Sequence, residues 1–230
     1  MKKTLYTAIG RFERRTSGMN RSYPVIILGD REYQADLQEM AVWTCLNWRI
    51  ARREEIGAYY EKTLGVANLP ARRSLRECID RLVTRGLVIS GCGDTEYDAL
   101  YDLLSSLYII PTGGSPALRI ASFLKLTLFN HVPFSAAKRL FQKDRRSSGE
   151  QRVMGLAKQA LLSTAEIIKC VEKGVFSLPD DESILSALYS DSDTTSDNLS
   201  YLVKASPCSK PVILAVANLY LRQQIIFERI

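Results

Sequence analysis

The chain has 230 residues, of which 46% are hydrophobic and 24% are charged, and its net charge is +6. This composition is that of one large or two small globular domains, and it excludes a disordered or collagen-like chain. No apolar stretch approaches the roughly 20 residues that a membrane-spanning helix needs. Charged residues interrupt the first segment before it could form the apolar core of a secretion signal, so we expect a cytoplasmic protein.

The residue types that serve most enzymes and metal sites are scarce. His131 is the only histidine, which weakens any mechanism built on a histidine base or a histidine-ligated metal. The five cysteines are widely spaced and include no CxxC pair, which argues against a zinc site and a disulfide framework. The sequence therefore predicts a non-enzymatic protein without a metal or another cofactor.

The N-terminal half is predicted to contain two extended segments followed by three helices. The extended segments are LYTAI (5–9) and YPVIIL (23–28). Asp30 is placed to cap the first helix, and Gly86 is placed to end the third. The three predicted helices cover 31–49, 53–64 and 70–85.

Two strand-like segments and a series of helices follow. LVIS (87–90) and YIIP (108–111) predict strands, and 97–107 fits either a helix or a distorted second wing strand. The predicted helices of the C-terminal half are 116–130, 133–143, 149–173, 182–190, 196–205 and 211–228. TGGSP (112–116) separates the two halves, which predicts domains at 1–112 and 116–230.

The positive charge is concentrated in the first 90 residues. They contain 16 Lys/Arg against 10 Asp/Glu, and 13 of these cations are arginine, whereas residues 91–230 contain 15 of each sign. Arginine forms bidentate contacts with phosphate and guanine more readily than lysine does. This distribution favours a polyanionic partner, although a solvated basic face is an equal alternative.

The predicted third helix has one apolar face and one charged face. Its apolar stripe consists of Leu75, Cys78, Ile79, Leu82 and Val83, which recur at helical spacing. Arg73, Glu77, Asp80 and Thr84 lie opposite, with Arg76 on one flank and Ser74 and Arg81 on the other. One face is therefore expected in the core and the other is free for a partner.

The run RLVTRGLV, from Arg81 to Val88, resembles the third helix and first wing strand of winged helix-turn-helix proteins. The similarity is closest to the regulators of multiple antibiotic resistance. The two preceding helices and Glu55-Ile56-Gly57 extend it over about 31–95, less than a third of the chain. This resemblance implies that the third helix, about 70–85, enters the major groove and that the wing holds phosphates.

Carried over by position, the resemblance implies a set of DNA-contacting residues. Contacts from the third helix would come from Arg72, Arg73, Ser74 and Arg76, and phosphate contacts from Arg52 and Arg53, with Ser90 to Thr95 as the wing. Two features depart from the pattern. The segment GCGDTE lacks the cation that often tips a wing, and Glu77 and Asp80 place carboxylates on the exposed face. Carboxylates repel phosphate, although glutamate can accept a hydrogen bond from cytosine, so Glu77 and Asp80 are included in the predicted DNA-binding set. They could equally belong to a protein-binding surface.

The sequence thus predicts a mainly α fold with a small β component. A winged helix-turn-helix domain with an N-terminal extension would precede an all-helical domain that forms a homodimer, binds a small-molecule or protein effector, or does both. The predicted function is a sequence-specific transcriptional regulator of double-stranded DNA. Alternatives are a replication-initiation or partition protein of a mobile element, and a winged-helix module that binds protein instead of DNA.

Overall fold

The computed structural model describes residues 2–16, 22–67, 73–112, 146–191 and 193–229. Within these ranges about 51% of the residues are helical and 21% are in strands, so the fold is mixed α/β with helix predominating. None of the helices in these ranges is long and apolar enough to span a lipid bilayer. The predicted helices at 116–130 and 133–143 lie outside the described residues.

The described elements begin with four strands and three helices, and three further strands are placed among and after the remaining helices. The strands are β1 (Lys3–Ala8), β2 (Arg11–Thr16), β3 (Ser22–Leu28), β4 (Arg31–Gln34), β5 (Val88–Gly93), β6 (Tyr108–Pro111) and β7 (Ile225–Glu228). The helices are α1 (Leu37–Leu46), α2 (Arg53–Ala67), α3 (Leu75–Thr84), α4 (Glu96–Leu104), α5 (Ser148–Ala157), α6 (Thr164–Glu172), α7 (Asp181–Tyr189), α8 (Ser196–Leu202) and α9 (Ser209–Leu221). The strands form three antiparallel sheets, β1–β5, β2–β3–β4 and β6–β7.

The first helix begins later than the sequence predicted. Arg31–Gln34 form β4 instead, paired with β3 through a tight turn at Gly29 and Asp30, where Gly29 has a φ of 56°. Gly-Asp between two β-prone segments favours such a hairpin. Asp36 is the residue that caps α1, since its carboxylate accepts from the N–H groups of Gln38 and Glu39. The prediction that Asp30 caps this helix was wrong.

The third helix also begins later, at Leu75 instead of near Pro70. Ser74 and Glu77 form a reciprocal capping box that fixes this start. The helix ends as predicted before Gly86, which has a φ of 69°. Cys78, Ile79 and Leu82 are buried, but Val83 is 36% exposed and lies outside the core stripe.

The predicted wing is not formed. Ser90 lies in β5 and pairs with Tyr6 of β1, while Thr95 caps α4, so Ser90 to Thr95 join a strand to a helix. The glycines of this segment explain the arrangement, because a Cβ atom at Gly91 would lie 2.3 Å from the Leu103 nitrogen. The glycines of GCG (91–93) thus let α4 pack directly against β5. Of the two alternatives predicted for 97–107, a helix or a distorted wing strand, the structure has the helix.

The C-terminal half is not all helical. The predicted helix 149–173 is divided into α5 and α6, because Ser163 and Glu166 form a new capping box between them. The predicted helix 211–228 ends at Leu221, and Gln223 turns the chain with a φ of 58°. Residues 225–228 then form β7, which pairs with β6.

Two clusters of buried residues form the core. One lies among α1, α2, α3 and the strands β1, β3 and β5, and contains Val42, Trp43 and Ile79. The other joins α4 and β6 to the C-terminal helices, where Leu104 and Ile109 belong to the same cluster as Phe227. The residues just before the predicted boundary at 112–116 therefore pack with the half that follows it. The division into 1–112 and 116–230 remains a prediction.

Tyr220 of α9 connects the two clusters. Its buried hydroxyl donates to the Ala8 carbonyl oxygen at 3.0 Å and accepts from the Trp48 N–H at 2.9 Å. Thr7 Oγ1 lies 2.9 Å from the same oxygen. Burial raises the pKa of Tyr220 to about 12, so this hydroxyl stays protonated near neutral pH.

Replacing Tyr220 by Phe should lower the free energy of unfolding by about 2 kcal/mol, because the Trp48 N–H and the Ala8 carbonyl lose a buried partner. Urea unfolding followed by circular dichroism would measure the change. Tyr201→Phe is the matched control, since Tyr201 is 81% exposed and should change stability little. Equal effects of the two substitutions would contradict this role.

Candidate interaction surface around the third helix

Glu39 organises the charges between α1 and α3. It lies in the first turn of α1, and its side chain is only 2% exposed. The carboxylate accepts from Arg81 Nε at 2.7 Å and from Arg85 Nη1 at 3.0 Å, and Arg73 Nη1 lies 3.5 Å away. The same carboxylate accepts from the Asp36 N–H in the capping box. One buried acid therefore holds three arginines that flank or belong to α3.

Arg73, predicted to contact DNA, is directed toward α1. Its guanidinium pairs with Asp36 as well as Glu39. Its backbone N–H and carbonyl each form a hydrogen bond of 3.1 Å with the Gln38 side chain. Partial burial raises the pKa of Asp36, but hydrogen bonds from the Glu39 N–H and Arg73 outweigh that effect and leave the pKa lowered. Arg73 thus fixes the segment before α3 to the first turn of α1.

Energetics favour keeping these arginines on Glu39. Removing a partner from a buried ion pair costs on the order of 3–5 kcal/mol, because a buried charge is left uncompensated. Departure of all three arginines would leave Glu39 as a buried and uncompensated charge, so at least one of them has to stay on Glu39.

The outward face of α3 carries both signs of charge. Arg76 is 77% exposed, and its Nε lies 3.7 Å from Asp80 Oδ2. The other oxygen of Asp80 lies 3.6 Å from Arg53 Nη2. Glu77 accepts from the Ser74 N–H and hydroxyl, and these hydrogen bonds lower the pKa of Glu77. Glu77 is therefore ionised near neutral pH, and Asp80 lies beside Arg76.

Arg52 and Arg53 lie at the start of α2, next to β1. Arg52 pairs with Glu96 of α4. The Arg53 guanidinium lies 5.8 Å from the centre of the Tyr6 ring. Among the described residues, the Arg53 Nε–H is covered and has no acceptor. Together with Lys2 and Lys3, the two arginines line a cavity of about 360 Å³.

The structure brings together part of the predicted set. Arg53, Arg76 and Asp80 are linked by ion pairs, and Ser74 and Glu77 cap the same helix. Ser90 and Thr95 instead serve β5 and α4. Arg72 lies outside the described residues.

Sequence reasoning missed the two acids that anchor this surface, Asp36 and Glu39. The spacing of an N-cap acid followed three residues later by glutamate, in Asp36-Leu37-Gln38-Glu39, is a capping-box signal that could have placed the start of α1. Glu39 also pairs with Arg73, Arg81 and Arg85, and this role depends on tertiary structure because those arginines lie more than 30 residues away in the sequence.

No protein-family model, no curated protein and no solved structure is significantly similar to the chain.

Replacing Glu39 by Gln should lower the free energy of unfolding by about 2–3 kcal/mol, since three cations lose their shared counter-charge while part of their surface stays hydrated. Denaturant unfolding would measure this loss. Glu61→Gln, at an exposed position of α2, is the control and should change stability by less than about 0.5 kcal/mol. A loss at Glu39 no larger than at Glu61 would show that the arginines do not depend on Glu39.

Proposed function

We propose that the chain is a non-enzymatic protein-interaction module, in which the outward face of α3 and the adjoining start of α1 contact a protein partner. The observation that carries this proposal is the pairing of the α3 arginines with carboxylates. Arg73, Arg81 and Arg85 are held by Glu39, and Arg76 lies against Asp80. A surface with balanced charge suits a protein partner better than a polyanion.

Exposed apolar side chains accompany these charges. Leu37, which follows the Arg73 partner Asp36, is 61% exposed. Val83, at the edge of the apolar stripe of α3, is 36% exposed. Apolar groups among paired charges are common in protein interfaces, whereas contacts to a phosphate backbone come mostly from basic and polar groups.

The second candidate is a sequence-specific DNA-binding transcriptional regulator. A replication-initiation or partition protein of a mobile element is an alternative that would bind DNA in the same way. Two observations favour it. Arg76 is the most exposed of the α3 arginines that form ion pairs, and Arg52 and Arg53 lie beside Lys2 and Lys3. In this candidate, phosphates would contact the start of α2, and α3 would offer base contacts from Arg76 alone among its described arginines.

A salt titration with a random DNA duplex separates the two functions. If the chain is a protein-interaction module, it should not bind the duplex saturably at low salt. Its affinity for DNA should then be the same as that of the Arg52→Ala/Arg76→Ala variant. A DNA-binding protein with several phosphate contacts would instead lose about 10³-fold or more in affinity between 50 and 200 mM salt. That slope, together with weaker binding by the double variant, would overturn the proposal. Arg14→Ala/Arg31→Ala, on the β2–β3–β4 sheet, is the charge-matched control.

We propose that the C-terminal helices form a homodimer interface through α9. Leu214 and Leu221 lie two turns apart on one face of this helix, and they are 44% and 50% exposed. An apolar helix face of this kind can pair with the same face of a second copy about a two-fold axis.

Size-exclusion chromatography with light scattering should give a dimer at micromolar concentration. Leu214→Glu/Leu221→Glu should shift the protein to a monomer, because charges would be buried at the contact. Leu161→Glu/Leu185→Glu changes two similarly exposed leucines elsewhere and should leave the dimer intact. A monomeric unsubstituted protein would refute the interface.

A further inference from the structure

A cavity of about 360 Å³ between β1 and the first turn of α2 is lined by more positive than negative side chains. Its charged lining consists of Lys2, Lys3, Arg52, Arg53 and Glu54. Four cations thus surround the cavity with one carboxylate. This excess contrasts with α3 and its flanks, where four arginines lie among four carboxylates, those of Asp36, Glu39, Glu77 and Asp80.

Two of these cations have intramolecular carboxylate partners and two do not. Arg52 pairs with Glu96, and Arg53 Nη2 lies 3.6 Å from Asp80. Lys2 and Lys3 are exposed and form no ion pair with any residue in the described ranges. Even after internal pairing, the cavity therefore retains a positive excess that solvent ions or a ligand must balance.

The walls of the cavity supply the contacts that a phosphate group uses. Guanidinium groups present paired N–H donors that match oxyanions, and lysine ammonium groups add mobile charge. α2 begins at Arg53, so the positive end of this helix adds to the same field. The Arg53 side chain is partly exposed, and because its Nε–H is covered, its contact with a phosphate would come from the Nη groups.

From this charge complementarity we infer that the cavity binds a compact polyanion of two or three linked phosphate groups. The inference does not depend on the proposed protein interaction, because it concerns the β1–α2 cavity and not the outward face of α3. Arg53 connects the two places, since a bound phosphate would compete with Asp80 for its guanidinium. The ligand would thereby change the charge pattern of α3.

Isothermal titration calorimetry with inorganic pyrophosphate on the full chain, at low ionic strength and neutral pH, tests this site. We expect saturable binding with one site per chain, weakened about tenfold in Lys2→Gln/Lys3→Gln through the loss of two phosphate contacts. Lys158→Gln/Lys210→Gln removes the same charge from exposed lysines outside the cavity and should change affinity less than twofold. Circular dichroism melts would verify that both variants fold.

Two results would overturn the inference. One is the absence of saturable binding at pyrophosphate concentrations up to about 1 mM, because a Kd weaker than this corresponds to less than about 4 kcal/mol of binding free energy and does not indicate a specific site. The other is an equal loss of affinity in the two double variants, which would show attraction by net charge instead of a site.

Competition between pyrophosphate and a short fluorescent DNA duplex identifies the source of the phosphate. Pyrophosphate binding without duplex binding supports a free phosphorylated ligand. Displacement of the duplex by pyrophosphate supports the same site filled by a nucleic-acid backbone, and it would favour the second candidate function. Duplex binding that pyrophosphate does not displace, together with no saturable binding of pyrophosphate itself, would overturn the compact site.

Discussion

The buried carboxylate of Glu39 is the constraint on which the N-terminal unit depends. A charge that is 2% exposed is stable only with counter-charges and hydrogen bonds around it. Arg73, Arg81 and Arg85 supply both, and all three come from α3 or its flanks. The position of α3 against α1 is therefore set by electrostatics as well as by the apolar stripe of Cys78, Ile79 and Leu82.

This constraint changes the meaning of the arginine-rich composition. The excess of 6 positive charges in the first 90 residues suggests a polyanion-binding surface. In the folded chain, three of the arginines around α3 form ion pairs with Glu39. The exposed Arg76 lies beside Asp80 and next in sequence to Glu77. The positive excess is left at a different place, the cavity beside β1, where Lys2 and Lys3 have no carboxylate partner among the described residues.

A second constraint joins the two ends of the chain. The hydroxyl of Tyr220 satisfies backbone groups of β1 and of the segment after α1, and the Gly10 N–H donates to the Phe227 carbonyl oxygen. β7 in turn pairs with β6. The N-terminal three-helix unit and the C-terminal helices are thereby held against each other.

The sequence by itself determined the local features that depend on near neighbours. Helical periodicity placed α2 and the buried side of α3, and Gly86 marked the end of α3, because a residue with positive φ favours glycine. Distant pairing was decided only by tertiary structure. Residues 31–34 and 225–228 fit helical patterns but form strands because β3 and β6 offer them partners. Likewise, Ser90 became part of a β1–β5 pair instead of a wing, and Arg73 turned inward, since the partners Tyr6 and Glu39 are remote in sequence.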